Sequence, residues 1–226
     1  MLFPSLPTTT LLLALAGTTL SHPLAKRHDD PAAATVKIIM PLSVSCAGRG
    51  DECTTADVAA PYLAASMDTY GVKTGYEQAG ILALISYESN QLQYKTNLNP
   101  ANKAAGQGTA NEQSGQFNVE YANSFPELAK LNLTTSTVLA QVTQDKYNFG
   151  SGAWFYSQQK TDGCKNARAM AQQSNTTAWT WFSTVYLADC VGVNITAQTA
   201  RTEHWNRALQ AFGINNDTVN GVSTTK

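Results

Sequence analysis

The sequence has few charged residues and no cluster of one sign. Only 14% of its 226 residues are charged, with Lys+Arg 15 against Asp+Glu 16 and a formal net charge of -1. The absence of a basic block argues against a nucleic-acid partner, because binding to phosphates needs clustered Lys and Arg. A charged fraction this far below the usual quarter is more typical of a secreted protein than of a cytosolic one.

Long apolar runs are also missing. The longest, over residues 11–17, is shorter than the roughly 20 residues that a membrane-spanning helix needs, so we expect no membrane partner. Its place near the start, followed by small residues, is typical of a secretion signal, which we assign to residues 1–21. The dibasic pair at 26–27 then predicts a propeptide over 22–27 and a flexible arm over 28–45. We therefore expect a secreted, extracellular protein.

Metal-binding patterns are scarce. The sequence has four cysteines and three histidines but no CxxC pair, which disfavours a zinc site. An even number of cysteines in an exported chain favours disulfides, and of the three possible pairings we predict Cys46–Cys53 and Cys164–Cys190. We expect no metal and no cofactor. Four Asn-x-Thr sequons predict N-glycosylation at Asn132, Asn175, Asn194 and Asn216.

Strict alternation of apolar and polar residues is absent, which excludes β-sandwich and barrel folds. Helical patterns instead recur over residues 46–215, among them 119–130, 135–147 and a last helix capped by Thr202. We predict one mainly α domain over 46–215, ahead of a flexible tail, 216–226. A capping box formed by Thr74 and Glu77 opens a helix that runs to about residue 90. Because this helix is apolar nearly all round, we predict it to be the central buried helix.

The composition changes sharply after that helix. Residues 91–119 are rich in Asn, Gln and Gly, and a polar stretch of this length inside a compact domain is usually functional or disordered. At the junction stands Glu88, which shares a helix face with apolar residues and lies at the helix C-terminus. Burial and the helix dipole both disfavour its charged form, so we expect its pKa to be raised. A protonated carboxyl group facing a polar loop would suit a general acid.

Three segments resemble the lysozyme-like superfamily, especially soluble lytic transglycosylases and goose-type lysozymes. Segment 83–89, ending in Glu-Ser, is similar to the helix end that carries the family's acid, and segment 106–113 is similar to its Gly-Leu-Met-Gln loop. Segment 147–152 matches its Tyr-Asn-x-Gly-x-Gly signature. The loop departs from the family pattern, because Thr and Ala replace Leu and Met.

The resemblance implies a lysozyme-like helical domain with a long polar active-site loop. It also implies a secreted glycosidase or lytic transglycosylase that cleaves β-1,4 linkages in a polysaccharide of N-acetylated amino sugars. We expect this enzyme to be a monomer with Glu88 as its general acid. An inverting hydrolase would need a second carboxylate, for which Glu112 is the candidate. The implied substrate-binding residues are Ser89, Asn111, Gln113, Tyr147 and Asn148.

Several alternatives stay open at this point. The domain could bind glycans without cleaving them, and peptidoglycan competes with chitin or chitosan as the polymer. An acidic chain lacks the cationic steering that would favour anionic bacterial walls. A copper-binding histidine brace at His28 would need a second histidine, and His204 lies on a predicted helix. The tryptophans, Trp205 above all, are predicted to lie in the core.

Overall fold

The computed structural model describes residues 30–99, 101–172, 177–193 and 199–215. Within these ranges the protein is mainly helical, as predicted, and β structure is limited to two isolated bridges. Short 3₁₀ turns at Pro41–Val44 and Gly50–Glu52 precede the main helices, and a π-helix spans Trp181–Val191. The α-helices are α1 (Pro31–Ile39), α2 (Ala56–Thr69), α3 (Gly75–Glu88), α4 (Gly115–Asn123), α5 (Pro126–Ala129), α6 (Leu139–Val142), α7 (Asp145–Asn148), α8 (Ser151–Gln158), α9 (Asp162–Met170), α10 (Ala178–Thr180) and α11 (Thr199–Phe212).

Helix α3 is the central buried helix that the sequence predicts. The capping box is present in full: Thr74 accepts from the backbone of Glu77, whose carboxylate accepts from the backbone of Thr74. All but the last two of the residues from 79 to 88 are buried. Helices α1, α8 and α11 pack around α3, with α11 making the most extensive contact. This arrangement fixes the direction in which the C-terminus of α3 points.

Aromatic side chains fill the core beside α3. The rings of Phe182 and Trp205 stack at 4.3 Å between centroids, and Trp181 stacks on Tyr186 at 5.5 Å. A Cβ atom at Gly80 would lie 2.7 Å from the Trp181 ring, so this position needs glycine for the close approach of ring to helix. The prediction that the tryptophans lie in the core is confirmed for Trp181 and Trp205 and also for Trp154, which is 5% exposed.

The segment predicted as a flexible arm is ordered over its described part. Asp30 caps α1 and a proline occupies its first turn, which is a strong helix start. Val36 and Ile39 are buried against α2 and α11. Their helical spacing was obscured in the sequence by the run of alanines ahead of them. The predicted signal (1–21), propeptide (22–27) and tail (216–226) lie outside the described residues.

Several helix boundaries differ from the sequence prediction. The region predicted as two helices over 119–130 and 135–147 contains four short ones, with a break before Pro126, which cannot continue a helix from the preceding turn. Helix α11 begins at Thr199, three residues before Thr202, which was predicted as its cap. Within the described ranges, no helix is long and apolar enough to cross a bilayer.

Both predicted disulfides are present. Cys46 pairs with Cys53 and Cys164 with Cys190, and no cysteine is free. The second bridge joins α9 to the π-helix in the core, whereas the first closes a loop at the surface. Two disulfides fit folding in an oxidising compartment. Of the predicted glycosylation sites, Asn132 lies on an exposed turn, and Asn175, Asn194 and Asn216 lie outside the described residues.

Candidate functional site

Glu88 lies at the C-terminus of α3, where its carboxylate forms an ion pair that the sequence did not reveal. The guanidinium of Arg201, on α11, approaches Glu88 Oε1 at 2.8 Å, and the side chains are 13% and 19% exposed. The same guanidinium lies 3.9 Å from the ring centroid of Tyr87, which adds a cation–π contact. A free, protonated acid was expected here. The structure instead places a cation against the carboxylate.

The chain leaves α3 through a left-handed turn. Asn90, Gln91 and Leu92 all have positive φ, at 48°, 60° and 65°, which non-glycine residues rarely adopt. Ser89 holds this turn: its hydroxyl donates to Ile85 O at 2.7 Å and accepts from the backbone of Leu92 at 2.8 Å. Ser89 was predicted to bind substrate, but it is 1% exposed. The hydroxyl of Ser89 makes its hydrogen bonds within the protein, and we do not propose it as a ligand-binding group.

Glu112 lies on a second strained turn that faces the end of α3. Glu112 and Thr109 have φ values of 48° and 67°, the latter unfavourable for a β-branched residue. The turn is held by hydrogen bonds from Glu112 N to Thr109 O (3.0 Å) and from Thr109 N to Lys95 O (2.9 Å), and by a contact between the Thr109 and Ser151 hydroxyls (2.8 Å). Strain that is maintained by its surroundings is typical of functional sites.

The protonation of Glu112 is perturbed. Burial, followed by the charges of Glu88 and Glu52, raises its pKa to about 7. The carboxyl group therefore carries a proton over much of the slightly acidic range, in which it can donate a hydrogen bond. The raised pKa thus belongs to the glutamate of the polar loop that faces the end of α3. The arrangement places a glutamate that is paired with Arg201 next to a carboxyl group that exchanges its proton near neutral pH.

These two glutamates line an elongated cleft with two parts. The outer part has a volume of about 570 Å³ and a mostly polar lining: Tyr87, Glu88, Tyr94, Thr96, Asn97, Leu98, Asn99, Asn102, Gln107 and Glu112. The inner part, of about 220 Å³, has an apolar wall: Leu84, Phe117, Phe155, Val191 and Val193. The two parts share Glu88, Gln107 and Glu112. A ligand that spans both parts would pass the two carboxyl groups.

The remaining predicted site residues divide into two groups. Asn111 and Gln113 line the inner part of the cleft beside Glu112. Tyr147 and Asn148 do not line either part; the hydroxyl of Tyr147 donates to Glu127 Oε1 at 2.9 Å, and both residues are buried. Both residues contact other parts of the protein instead. The backbone carbonyl of Asn148 accepts a hydrogen bond from the backbone N–H of Ala110, in the Glu112 turn, at 3.3 Å.

Three buried carboxamide oxygens near Glu112 have no hydrogen-bond donor within the part of the chain that the structure describes. They belong to Asn111, Gln113 and Asn148. Buried polar atoms are normally satisfied, and unsatisfied ones call for an explanation. Arg201 Nη1 and Trp205 Nε1 are also buried and unpaired among the described residues, so three of these five atoms are carboxamide oxygens near Glu112.

Sequence reasoning missed two residues that shape the cleft. Arg201 is 113 positions after Glu88, and nothing local in the sequence connects them. Glu52 lies within the Cys46–Cys53 loop, and its carboxylate Oε2 accepts from the backbone of Lys95 (3.2 Å) and Thr96 (3.0 Å). The only available signal was that the disulfide loop contains an acidic residue. Long-range contacts of this kind have no periodicity to detect.

Comparison with known proteins gives one informative relative. Over 167 residues the chain is 38% identical to a bifunctional dioxygenase (DOX)-epoxy alcohol synthase (EAS) of Fusarium oxysporum (strain Fo5176). The alignment covers 69% of this chain but only 12% of that relative. No protein-family model matches the chain. The similarity therefore connects this domain with a small segment of a much longer protein.

This relative corrects the functional prediction. Dioxygenase and epoxy alcohol synthase are oxidative activities and not glycoside hydrolysis, so the prediction of a glycosidase, lysozyme or lytic transglycosylase is wrong. The geometry of Glu88 agrees with the correction. Its carboxylate is held against Arg201, whereas a general acid must carry a proton to donate.

The described residues lack a cluster of side chains that could ligate a metal for oxygen-activating chemistry. Such chemistry uses haem, flavin, copper or non-haem iron, and metal-based centres take His, Cys or carboxylate ligands. Within the described ranges, no group of three or more such residues could hold a metal ion, and all four cysteines are in disulfides. His204 Nδ1 contacts Ser86 Oγ at 2.6 Å and Arg207 at 3.1 Å. We derive no oxidative step for this chain.

Proposed function

We propose that this chain is a binding module, related to a short segment of the Fusarium enzyme, whose cleft binds a polysaccharide of N-acetylated amino sugars. The observation that carries the proposal is the two-part cleft, in which a polar outer part and an apolar inner part meet at Glu88, Gln107 and Glu112. The module spans only 12% of its relative, and no group of three or more His, Cys, Asp or Glu among its described residues could hold a metal ion. Binding is the role that these features support best.

The outer part suits a ligand rich in hydroxyl groups. Four carboxamide side chains line it, at Asn97, Asn99, Asn102 and Gln107. Each carboxamide can both donate and accept a hydrogen bond, which matches the dual character of a hydroxyl group. Asn97 Nδ2 already donates to Gln107 Oε1 at 3.1 Å, so the lining forms a connected network. Such a surface favours a neutral, polyhydroxylated chain.

The inner part suits a group that combines an amide with a methyl. Its aromatic and aliphatic residues, including Phe117 and Phe155, would receive the methyl, while Glu112 and Gln107 supply polar groups to the same lining. An N-acetyl group has both features in one small unit. The Arg201 guanidinium is already paired with the Glu88 carboxylate, so this end of the cleft offers an anionic ligand little attraction. These properties together favour N-acetylated amino sugars over plain or acidic sugars.

Two further features are part of the proposal. The lysozyme-like resemblance is retained for the fold alone, and it is supported by contact between the three resembling segments: Gly152 lies against Ile81, Ile85 and Asn111. Secretion is supported by the two disulfides and by the apolar leader in the sequence. N-terminal sequencing of the protein from culture medium would test it.

Binding of defined oligosaccharides tests the function. Calorimetric titration with chitin oligomers and with soluble peptidoglycan fragments should show saturable binding, and Gln107→Leu should weaken it by about tenfold, equivalent to roughly 1.4 kcal/mol for a lost hydrogen-bonding group. Gln158→Leu, the same change at an exposed residue at the end of α8, is the matched control. Absence of binding to both ligands, or equal weakening by the control, would refute the proposal, as would release of new reducing ends.

A further inference from the structure

The loop closed by Cys46–Cys53 reaches the cleft through two side chains. Arg49 donates from its guanidinium to the hydroxyl of Tyr94 at 2.9 Å. Glu52 accepts from two consecutive backbone N–H groups, of Lys95 and Thr96. Tyr94 and Thr96 both line the outer part of the cleft. The disulfide loop therefore supports one wall of the cleft, although it is not part of the lining itself.

From this wall a continuous set of backbone hydrogen bonds leads to the Glu112 turn. Lys95 O accepts from Thr109 N at 2.9 Å, and Thr109 O accepts from Glu112 N at 3.0 Å. An isolated antiparallel bridge that pairs Thr96 with Gly108 is a second link between the same two segments. Gly108 has no room for a side chain, because a Cβ would lie 2.8 Å from Lys95 O. The segment that contains Lys95 and Thr96 therefore packs directly against the segment that contains Gly108 and Thr109.

We propose that Glu52 is a positioning residue that couples the disulfide-closed loop to the Glu112 turn of the cleft. Its carboxylate holds in place the backbone segment that is hydrogen-bonded to that turn. Its negative charge disfavours the charged form of the Glu112 carboxyl group. This inference concerns the free protein and goes beyond ligand binding, so it can be tested whether or not the proposed polysaccharide binds.

The charges around Glu112 define what Glu52 can contribute. Glu88 faces Glu112 from α3, and its charge is partly offset by Arg201 on α11. Glu52 faces it from the disulfide loop, and both glutamates raise the pKa of Glu112. The same wall also carries Arg49, which donates to the hydroxyl of Tyr94, and Lys95. Removing the charge of Glu52 should therefore lower the pKa of Glu112 while the Glu88–Arg201 pair stays in place.

The disulfide makes this coupling sensitive to reduction. A dithiol reductant would convert the Cys46–Cys53 bond into two thiols, taking up two protons and two electrons as the dithiol becomes a disulfide. Both of these cysteines are partly exposed, whereas Cys164 and Cys190 are 0% and 7% exposed. Reduction should therefore open the surface loop first and release Glu52 from the Lys95 backbone.

Carboxyl-carbon NMR titration and amide hydrogen exchange test the proposal on the intact protein. Glu52→Gln should lower the titration midpoint of Glu112, and Cys46→Ser/Cys53→Ser should speed exchange at Lys95 and Thr96 by at least about tenfold, the equivalent of roughly 1.4 kcal/mol of local stability. Asp51→Asn removes the same charge from an exposed neighbouring position of the loop and should do neither.

The outcomes separate a specific coupling from a general effect. Glu52→Ala should add faster exchange at Lys95 and Thr96 to the change in the Glu112 titration, because it also removes the acceptor oxygen. Equal shifts of the Glu112 midpoint in Glu52→Gln and Asp51→Asn would overturn the proposal, since a nonspecific field would then account for them. An unchanged midpoint in Glu52→Gln, with the fold intact by circular dichroism, would also overturn it.

Discussion

Helix α3 carries a glutamate near each end, and the two have opposite characters. Glu77, in the first turn, is 4% exposed and accepts hydrogen bonds from Thr74, Tyr156 and Gln172. Glu88, at the last residue, has one ion pair and opens onto a cleft. The first carboxylate is satisfied by its surroundings and closed to solvent. The second remains accessible and faces Glu112.

The difference shows that burial of a carboxylate does not by itself mark a site. Glu77 is the more deeply buried of the two, yet its hydrogen-bonding capacity is used by the protein itself. The cleft region instead combines a like-charge pair, strained turns and unsatisfied carboxamide oxygens. Features of this kind cost stability and are typical of regions that bind or react.

The largest effect is expected at the structural end of the helix. Glu77→Ala removes the capping box and leaves Tyr156 and Gln172 without their buried acceptor, so we expect a loss of roughly 3–5 kcal/mol in unfolding free energy. Chemical denaturation measures it, with exposed Glu120→Ala as the matched control. A loss below about 1 kcal/mol would contradict the structural role assigned to Glu77.

A moderate, pH-dependent effect is expected at the cleft. The pKa of Glu112 is about 7 in the folded protein, against an ordinary value of 4.5, so the folded state holds the proton more tightly. The stability contribution of Glu112 is therefore full below about pH 4.5 and is lost as the pH rises through 7. We expect a loss of about 2 kcal/mol, less than the full linkage value because water in the open cleft screens the charge.

Denaturation curves between pH 4 and 8 measure this contribution. In Glu112→Gln the group cannot ionise, so the corresponding part of the pH dependence should disappear. Glu120→Gln, at an exposed position of α4, should retain the wild-type profile. An unchanged profile in Glu112→Gln would show that this residue does not titrate as the structure indicates.

The smallest effect is expected at Ser89, which holds the left-handed turn between α3 and the cleft. Ser89→Ala removes the acceptor of the Leu92 backbone N–H, and we expect a loss of about 1 kcal/mol in stability. Because the hydroxyl of Ser89 is buried, the affinity for chitin oligomers should not change. A loss of affinity with little change in stability would instead support the contact with substrate that the sequence suggested.

The sequence alone was a good guide where the signals are local. The capping box of α3 and the mainly α class follow from spacing and composition. Apolar and aromatic spacing likewise placed Trp205 in the core. The two disulfides were predicted from short loop closure and elimination, and the structure confirms them. Helix α1 was missed because its apolar spacing is short and partly hidden among alanines.

The site itself was predictable only in part. Glu88, Glu112, Asn111 and Gln113 do meet in one cleft, because the polar loop folds back over the end of α3. Their chemical states could not be predicted, since these depend on distant charges. Tyr147 was assigned to the cleft from a short signature, but its hydroxyl points to Glu127. A motif indicates which residues are close in the chain, not which way each side chain faces.

The sequence by itself determined the helical class, the central helix with its cap, the disulfide pairs and the polar loop that follows α3. All of these depend on residues close in the chain or on the few cysteines available for pairing. Tertiary structure alone decided that Arg201 neutralises Glu88, that Glu52 supports the cleft wall, and that Glu112 has the raised pKa. Charge and desolvation act through space, so their effects become defined only when distant segments are packed together.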